Sequence, residues 1–387
     1  TINIMNFYVI TRVYQATQSN IAVSLVWIAS ALPALVFGPF SGVLVDNFSR
    51  KKMLVLTNIL QAISVAGALL ISPRHIFPLY VITFLYWLFD QVYFPAQQAS
   101  VPSLVPKKLL DSANGLFLIT QQASILLGFG MGGLLLGFLG PKLTILLASL
   151  NLVLAAVSVS SLPNDKSQMH ITEGSFLRYW KDFLKGYHFV RTHHMVLIPM
   201  VLVVISQIYN AIISTALPSY THEVLNMSLN SAGLVLIVPG GIGALLATIY
   251  APKIFLGARK KKMIETGFGI GAVALLIMSI LIIIPWEFRI FVAVLVALGM
   301  GIAVGRIIVP AQSLIQRNTP QWFRGRVYAQ MGFLLIVATT IPLFISATLA
   351  DSLGVGPMLA IMGLFLLSGW YWSRQKGDHV LANGLGF

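Results

Sequence analysis

The sequence has no cysteine and very little charge. The absence of cysteine among the 387 residues excludes disulfides, thiolate metal sites and cysteine nucleophiles. Charged residues make up 9% of the chain, against roughly 25% in soluble domains, and 57% of the residues are hydrophobic. This composition argues against a water-soluble globule.

Acidic residues are scarce too. The chain has 25 Lys and Arg against 11 Asp and Glu, a balance that also occurs in nucleic-acid-binding proteins. The cations, however, lie in short clusters between apolar stretches, as membrane topology requires. We therefore expect no nucleic-acid partner and a lipid bilayer around the chain.

Motifs for catalysis are also missing. No G-x-x-x-x-G-K-[ST] sequence occurs, so ATP hydrolysis is not expected. His193, His194 and His222 lack the further ligand that a metal site needs, and solvated loop positions account for them. No His/Asp/Ser set stands out either, so we predict no enzyme, no metal and no cofactor, with a proton gradient as the energy source.

What the sequence does have is a series of long apolar runs. A bilayer core needs about 20 mainly apolar residues per helix. On that measure we predict an all-α integral membrane protein with 12 transmembrane helices in two pseudo-symmetric six-helix bundles. Because the first run is short and begins at Thr1, we expect helix 1 to be partly missing. The predicted helices lie near 1–16, 21–46, 52–72, 76–100, 109–137, 142–162, 193–218, 229–253, 260–284, 287–314, 322–349 and 354–374.

A basic stretch separates the runs into two groups. We predict an N-terminal bundle over 1–162, a cytoplasmic linker over 163–192, and a C-terminal bundle with a short tail over 193–387. The linker carries aromatic residues at helical spacing between cations, which is typical of an amphipathic helix on a membrane surface.

Two short motifs repeat between the groups. Phe94-Pro95-Ala96-Gln97 returns 215 positions later as Val309-Pro310-Ala311-Gln312. Arg50-Lys51-Lys52-Met53 returns 210 positions later as Lys260-Lys261-Lys262-Met263. Similar offsets of independent motifs indicate a duplicated six-helix unit.

The cations also predict an orientation. If the loop between helices 2 and 3 is cytoplasmic, 20 of the 25 cations lie on the cytoplasmic side, and only Arg74, Lys142 and Arg289 lie on the other. The positive-inside rule then predicts a multi-pass protein with both termini in the cytoplasm.

Asp90 is the sharpest candidate for chemistry. It lies about 21 Å into helix 4 at ~1.5 Å per residue, and a charged group inside a membrane costs roughly 2.5–3.5 kcal/mol or more. A carboxyl group there is suited to bind and release a proton. An equally good interpretation is a structural aspartate paired with a polar or cationic neighbour.

Two arginines lie within predicted spans. By the repeat, Arg306 of helix 10 occupies nearly the same position as Asp90, and it could pair with Asp90 or bind an anionic part of a substrate. The alternative is that Arg306 extends its side chain toward the cytoplasmic interface. Arg12 lies near the outer end of helix 1, where the same alternative is favoured over a role in a cavity.

Uncharged polar residues and helix breakers complete the set of candidates. Polar side chains inside the spans can orient a ligand in an apolar cavity or bond neighbouring helices; these are Tyr86, Tyr93, Gln121, Gln122, Gln207 and Asn210. Pro95 and Pro310 interrupt helix hydrogen bonds, as hinges or as static kinks. Gly128, Gly132 and Gly133 give helix 5 a face for close packing.

The loop between helices 2 and 3 carries a family resemblance. Gly42, Asp46, Arg50 and Lys51 match the pattern G-x-x-x-D-[RK]-x-G-[RK]-[RK], which resembles that loop in the major facilitator superfamily. Asn47 and Ser49 depart from the pattern. The resemblance implies a central cavity and alternating access, with Gly42, Asp46 and Arg50 holding the two bundles together on the cytoplasmic side when the cavity opens outward.

A second block is similar to one branch of that superfamily. Phe94-Pro95-Ala96-Gln97-Gln98-Ala99, followed by Pro102-Ser103-Leu104-Val105-Pro106 and Ala113-Asn114-Gly115, resembles the bacterial macrolide-efflux and enterobactin-exporter group. We therefore expect a monomeric, proton-coupled exporter of a small amphipathic or hydrophobic compound, in the bacterial cytoplasmic (inner) membrane. The alternatives are a lysophospholipid or lipid flippase of the same fold, and a non-transporting membrane scaffold or receptor.

Overall fold

The chain is helical throughout the parts that its structure describes. The computed structural model describes residues 1–72, 75–106, 110–163, 185–254, 260–320 and 324–385, and no β-strand occurs within these ranges. The helices are α1 (Ile2–Thr17), α2 (Asn20–Asn47), α3 (Arg50–Gly67), α4 (Phe77–Leu104), α5 and α6 (together Leu110–Ser160), α7 (His194–Ser219), α8 (Val238–Ile254), α9 (Lys260–Ile280), α10 (Trp286–Asn318), α11 (Arg324–Leu353) and α12 (Val355–Leu385).

The division between α5 and α6 lies at one residue. Gly140 has φ 73° and ψ 171°, outside the helical region, and Pro141 follows it. Glycine adopts a positive φ without steric cost, and proline starts a helix well because its missing N–H needs no partner there. We therefore count 110–139 as α5 and 141–160 as α6, which gives the twelve helices that the sequence predicts.

Most of these helices can cross a bilayer. In the described residues, eight stretches are long and apolar enough, and one of them, Ala123–Ser160, covers both α5 and α6. The apolar part of α12, Val355–Tyr371, is slightly shorter, and α1 has 16 residues. The predicted all-α membrane fold is confirmed.

The contacts divide the chain into two compact units. The first comprises Thr1–Gln18 and Leu25–Tyr179, and the second comprises Ser19–Ser24 and Trp180–Phe387. The first turn of α2 therefore belongs to the second unit and the rest of that helix to the first. Of the predicted linker, 164–184 lies outside the described residues; 185–192 is helical, and Val190 packs in a core cluster with Val196 and Met200.

Within the first unit, α3 packs against α4 and the α5–α6 run, and α1 packs against that run. The glycine face of α5 meets α1. A Cβ atom at Gly128 would lie 2.5 Å from the Cβ of Asn3, and one at Gly132 would lie 3.2 Å from the Cβ of Phe7. Gly133 is buried beside Gly132. These glycines let two helices approach more closely than larger residues allow.

Within the second unit, α10 packs against α7, α8 and α9. Its crossing with α8 has no side chain between the two backbones. A Cβ atom at Gly301 would fall on the backbone carbonyl of Gly240, and one at Gly243 would fall on that of Leu298. One turn further, a Cβ at Gly305 would lie 2.6 Å from the Cβ of Ala247. Backbone thus lies directly against backbone along two turns.

A buried arginine closes one end of the second unit. Arg289 of α10 is 9% exposed and donates to carbonyls that follow two other helices: that of Val224 at 2.7 Å, that of Ile282 at 2.8 Å and that of Ile284 at 3.0 and 3.2 Å. Helix C-termini leave carbonyls without partners and carry partial negative charge. The guanidinium group donates hydrogen bonds to these carbonyls and balances their partial negative charge. Arg289, which the sequence predicts on the outer side, is therefore a structural clamp that holds helix ends together.

The glycine crossing predicts a difference between neighbouring substitutions. Gly301→Ala should lower the apparent melting temperature, because a methyl group would displace the Gly240 backbone, and overpacking costs typically about 1–3 kcal/mol. Gly299→Ala is the matched control on the same helix, since a Cβ there meets nothing within 4 Å. It should leave the melting temperature equal or slightly raised. Thermal unfolding of both proteins in detergent makes the comparison, and equal melting temperatures would reject direct backbone contact.

The arginine clamp predicts a second difference. Arg289→Met should destabilise the protein by about 1–3 kcal/mol for each carbonyl that remains shielded from water. Arg317→Met makes the same chemical change at an exposed position of α10 and should have little effect. The measurement is again the melting temperature, with the yield of monodisperse protein as a second readout. An Arg289→Met protein as stable as Arg317→Met would contradict the clamp.

Candidate functional site

A polar stripe runs along the buried face of α3. The polar residues in this stripe recur every three or four positions in a helix that is otherwise apolar; they are Thr57, Asn58, Gln61 and Ser64. Thr57, Asn58 and Ser64 each donate to a carbonyl one turn earlier, that of Met53, Leu54 or Leu60, at 2.8 Å. Gln61 is the member of the stripe that does not follow this pattern.

The stripe faces the polar segment of α4. Asp90 is half-buried, and the side chain of Gln61 lies beside its carboxyl group. One turn to either side on α4, Tyr86 and Tyr93 lie close enough to Asp90 to interact with its charge. The Tyr93 hydroxyl also meets the side chain of Asn58. The structure therefore brings three of the predicted site residues, Asp90, Tyr86 and Tyr93, together with two from α3.

Gln61 is unusual because it is buried and only weakly bonded. It is 2% exposed, and its Nε2 meets no acceptor at full hydrogen-bond geometry among the described residues, although the Asp90 carboxyl group is close enough to accept a weak bond from it. A buried donor left unpaired costs about 1–3 kcal/mol. Such a cost beside an intramembrane carboxyl group is typical of a functional site rather than of a packing core.

A small cavity adjoins this group. It lies between α1, α3 and α4, and Asn6, Thr83, Tyr86 and Trp87 contribute to its lining. The Nε1 of Trp87 is a second buried donor without a partner in the described part of the chain. Unpaired polar groups around a cavity can hold water, or a proton in transit. We call Asp90, Gln61, Asn58, Tyr86, Tyr93 and Trp87 the Asp90 cluster.

In the second unit, Arg306 has a partner on α9. Its Nε donates to the hydroxyl of Thr266 at 3.0 Å, and that hydroxyl donates in turn to the Lys262 carbonyl at 2.8 Å. One position earlier on α9, Glu265 pairs with Lys261 at 3.4 Å. Arg306 is half-buried and held between two helices of its own unit. Its predicted pairing with Asp90 would join the two units and stays a prediction.

An apolar cavity lies beside Arg306. Residues of α7, α9, α10 and α12 line it. Tyr209, Phe268 and Met300 contribute large side chains beside aliphatic ones such as Leu275 and Leu366. On the α9 side, Gly267 packs closely against Ile307 of α10. Its lining residues Ala303 and Ile307 lie one turn or less from Arg306. A cationic side chain at the margin of an apolar cavity suits an amphipathic ligand.

The remaining predicted residues are spread along the chain. On α7, Gln207 is half-buried and Asn210 is exposed. On α1, the positive charge of Arg12 lies close enough to the Tyr8 hydroxyl to interact with it. Pro95 and Pro310 lie inside the unbroken helices α4 and α10. Arg50 begins α3, and Lys51 follows it. The side chains of Gly42, Asp46, Gln121 and Gln122 lie outside the described residues.

Sequence reasoning missed Asn58, Gln61 and Trp87. The signal was available, because polar residues at 57, 58, 61 and 64 share one face of an apolar span. The search for site residues looked for ionisable side chains inside the spans, and the amides of Asn58 and Gln61 and the indole of Trp87 are not ionisable. The glycines of the α8–α10 crossing were missed as well, since spacing alone does not say which helix they face.

The comparisons agree with this architecture. The family profile described as Major Facilitator Superfamily matches residues 1–341. The chain belongs to the major facilitator superfamily. The resemblance drawn from the loop after helix 2 is confirmed, and this chain is a multi-pass membrane transporter rather than an enzyme.

Several curated relatives of the superfamily are similar over most of their length. An uncharacterized transporter of the superfamily, YfiS of Bacillus subtilis, is 25% identical over 92% of this chain and 84% of its own. The multidrug efflux pump Tap of Mycolicibacterium fortuitum is 26% identical over 92% and 87%. Macrolide efflux protein A of Streptococcus pyogenes is 23% identical over 94% and 89%.

A solved structure supports the fold. A mutant of the nucleoside transporter NupG matches with a TM-score of 0.73 at 11% identity, covering 98% of each chain. An identity that low establishes the helical architecture and leaves the substrate open.

The weakly bonded amide predicts a small stability effect. Gln61→Met keeps the volume and removes a buried donor that has no acceptor at full hydrogen-bond geometry, so the melting temperature should change little. Asn58→Leu is the matched control one turn away, since it removes an amide whose Nδ2 is bonded, and it should lower the melting temperature. If Gln61→Met destabilises the protein as much as Asn58→Leu, Gln61 is a structural residue and no longer supports a functional site at Asp90.

Proposed function

We propose that this transporter exports a small amphipathic or hydrophobic compound in exchange for protons, by alternating access, in the bacterial cytoplasmic membrane. The observation that carries the proposal is the Asp90 cluster. It combines an intramembrane carboxyl group with Gln61 and Trp87, two buried donors that meet no acceptor at full hydrogen-bond geometry among the described residues. Such a costly arrangement is typical of a group that must change its protonation state.

Proton exchange at Asp90 requires partners for both states of the carboxyl group. Charged, it accepts hydrogen bonds, which the Gln61 amide and the tyrosine hydroxyls can donate. Protonated, it donates one, which the amide oxygen of Gln61 can accept. The cavity that Tyr86 and Trp87 line also contains the polar side chains of Asn6 on α1 and of Thr83, one turn or more along α4 from Asp90. Proton binding then changes the relative free energy of two transport states, and the substrate shifts the same equilibrium in the opposite sense.

The apolar cavity of the second unit supports the substrate class. Its lining is almost wholly apolar and includes the aromatic and thioether groups of Tyr209, Phe268 and Met300 beside aliphatic side chains. The Tyr209 hydroxyl lies 3.5 Å from the Met362 carbonyl and remains weakly engaged. Arg306 adds a positive charge at the margin, so a largely apolar compound with an acceptor or anionic group fits best. The names of two relatives, a multidrug pump and a macrolide efflux protein, point to the same class.

Removing the charge of Asp90 tests the coupling. In proteoliposomes with an imposed pH gradient, Asp90→Asn should reduce uptake of erythromycin or Hoechst 33342 to the level of empty vesicles, because no proton can be exchanged. Binding of the same probe, followed by quenching of tryptophan fluorescence, should persist. Exchange of probe across the membrane without a gradient should persist too. Asp90→Glu should recover part of the driven uptake.

Glu287→Gln is the matched control for this experiment. It removes a carboxylate of the same charge from an exposed position in the first turn of α10, and driven uptake should be unchanged. Driven uptake that survives in Asp90→Asn would remove Asp90 from the mechanism. Loss of both binding and exchange would assign Asp90 to substrate binding instead.

A further inference from the structure

The two cavities described above occupy corresponding places in the two repeats. Residues of α1, α3 and α4 line the cavity beside Trp87, and residues of α7, α9 and α10, together with Leu366 of α12, line the apolar one. These are the first, third and fourth helices of each predicted six-helix group. The offset of 210 positions between the repeats equates α3 with α9, and by it Val65 of the first cavity corresponds to Leu275 of the second. The same interhelical crevice is therefore present in both units.

The polar stripe of α3 has an apolar counterpart on α9. The stripe consists of Thr57, Asn58, Gln61 and Ser64, and the residues 210 positions later are Gly267, Phe268, Gly271 and Ala274. Three of these four counterparts line the apolar cavity, and Ala274 is buried. Where the first unit places the Gln61 side chain beside Asp90, the second unit has only a glycine. The crevice thus carries polar side chains in one repeat and is apolar in the other.

Gly271 leaves room in the apolar cavity. A Cβ atom at that position would lie 3.6 Å from the Cβ of Ala303 and 3.8 Å from the Cδ1 of Leu366, which are ordinary contact distances. Ala303 and Leu366 both line the cavity, so a side chain at position 271 would extend into it. Gly267 differs, because a Cβ atom there would lie 2.7 Å from the Cγ1 of Ile307. Gly267 therefore allows the close approach of α9 and α10, whereas Gly271 keeps the cavity open.

The lining of this cavity favours an aromatic occupant. Tyr209 and Phe268 contribute rings, and Met300 contributes a thioether. Aromatic rings attract one another in offset and edge-to-face arrangements, and a thioether sulfur makes favourable contacts with the edge of a ring. The hydroxyl of Ser206 already donates to the Leu202 carbonyl at 2.9 Å, so it needs no polar partner from a ligand. A flat, apolar ring thus matches this lining better than a polar group does.

We propose that the crevice between α7, α9 and α10 binds a planar aromatic group of the transported compound, and that Gly271 determines how large this group can be. Export of an amphipathic or hydrophobic compound, as proposed above, is the function on which this site rests. The corresponding crevice of the first unit carries Asp90 and its polar neighbours. Two copies of one crevice with different chemistry let one repeat hold the proton and the other hold the apolar part of the substrate.

Binding of Hoechst 33342, a dye built of planar aromatic rings, tests the site. Equilibrium dialysis of the purified protein in detergent, against protein-free micelles, gives the Kd of the dye. Gly271→Leu should raise this Kd roughly tenfold or more, because the added side chain takes the place of the ring and overpacking is costly. Gly271→Ala should raise it about fourfold, as expected for one methyl-sized group. Both variants should keep or raise the melting temperature, since glycine lowers helix stability and the cavity has room.

Gly299 of α10 provides the matched control. A Cβ atom there meets nothing within 4 Å, and Gly299 does not belong to the lining of the cavity. Gly299→Leu and Gly299→Ala add the same groups and should leave the Kd of the dye unchanged. If Gly271→Leu fails to fold, Gly271→Ala still decides, because its methyl group makes only ordinary contacts. An unchanged Kd in the Gly271 variants, or an equal rise in the Gly299 variants, would overturn the site.

Proton-driven uptake of the same dye in proteoliposomes separates this site from the function on which it rests. If the parent takes up the dye and Gly271→Leu keeps the parent Kd, export stands and the site fails. If the parent shows no driven uptake and Gly271→Leu still raises the Kd, the aromatic site stands and export fails. A parent that neither binds nor takes up the dye would overturn the aromatic site, whereas driven uptake of erythromycin, which has no aromatic ring, would still support export.

Discussion

The scarcity of water inside a bilayer is the constraint on which this structure depends. A polar group there must find a partner in the protein, because lipid offers none. Most polar side chains of the described helices find this partner within their own helix, because they donate a hydrogen bond to a carbonyl one turn earlier. Thr57, Thr83 and Thr144 are examples, at 2.8, 2.9 and 2.8 Å. The exceptions are therefore informative.

Three kinds of exception occur, and each has a different meaning. Arg289 is buried but fully bonded to carbonyls, so it holds helix ends together. Asp351 is bonded to groups at the start of another helix and remains exposed to solvent, so its bonds can be exchanged for water. Gln61 is buried, and its amide nitrogen meets no acceptor at full hydrogen-bond geometry in the described chain, so it is only weakly satisfied beside a carboxyl group. Different polar residues thus meet the same constraint in different ways.

Much of the fold could be predicted from the sequence. Apolar runs gave the helices to within a few residues in most cases: α2 was expected near 21–46 and is Asn20–Asn47, and α10 was expected near 287–314 and is Trp286–Asn318. The end of α12 was placed too early, near 374, because its helix continues to Leu385 past the end of the apolar run. Hydropathy detects the lipid boundary, whereas backbone hydrogen bonds decide where a helix stops.

The candidate site was only partly predictable. Asp90 stands out because an acid is rare in an apolar helix, and its neighbours Tyr86 and Tyr93 follow from helical spacing. Gln61 lies on another helix, so its position depends on the rotation of α3, which sequence periodicity indicates but does not fix. The same holds for Arg306, because its bond to Thr266 depends on how α9 and α10 pack.

The backbone contact between α8 and α10 has a consequence for how force travels through the second unit. Side chains between two helices act as a compliant layer, because rotamers can adjust while the helices slide. Where Gly243 and Gly301 bring carbonyl against Cα, no such layer exists. We therefore expect the two helices to move as one rigid body. A displacement at one end of α10 should then be carried to its other end, past Arg306 and the cavity beside it.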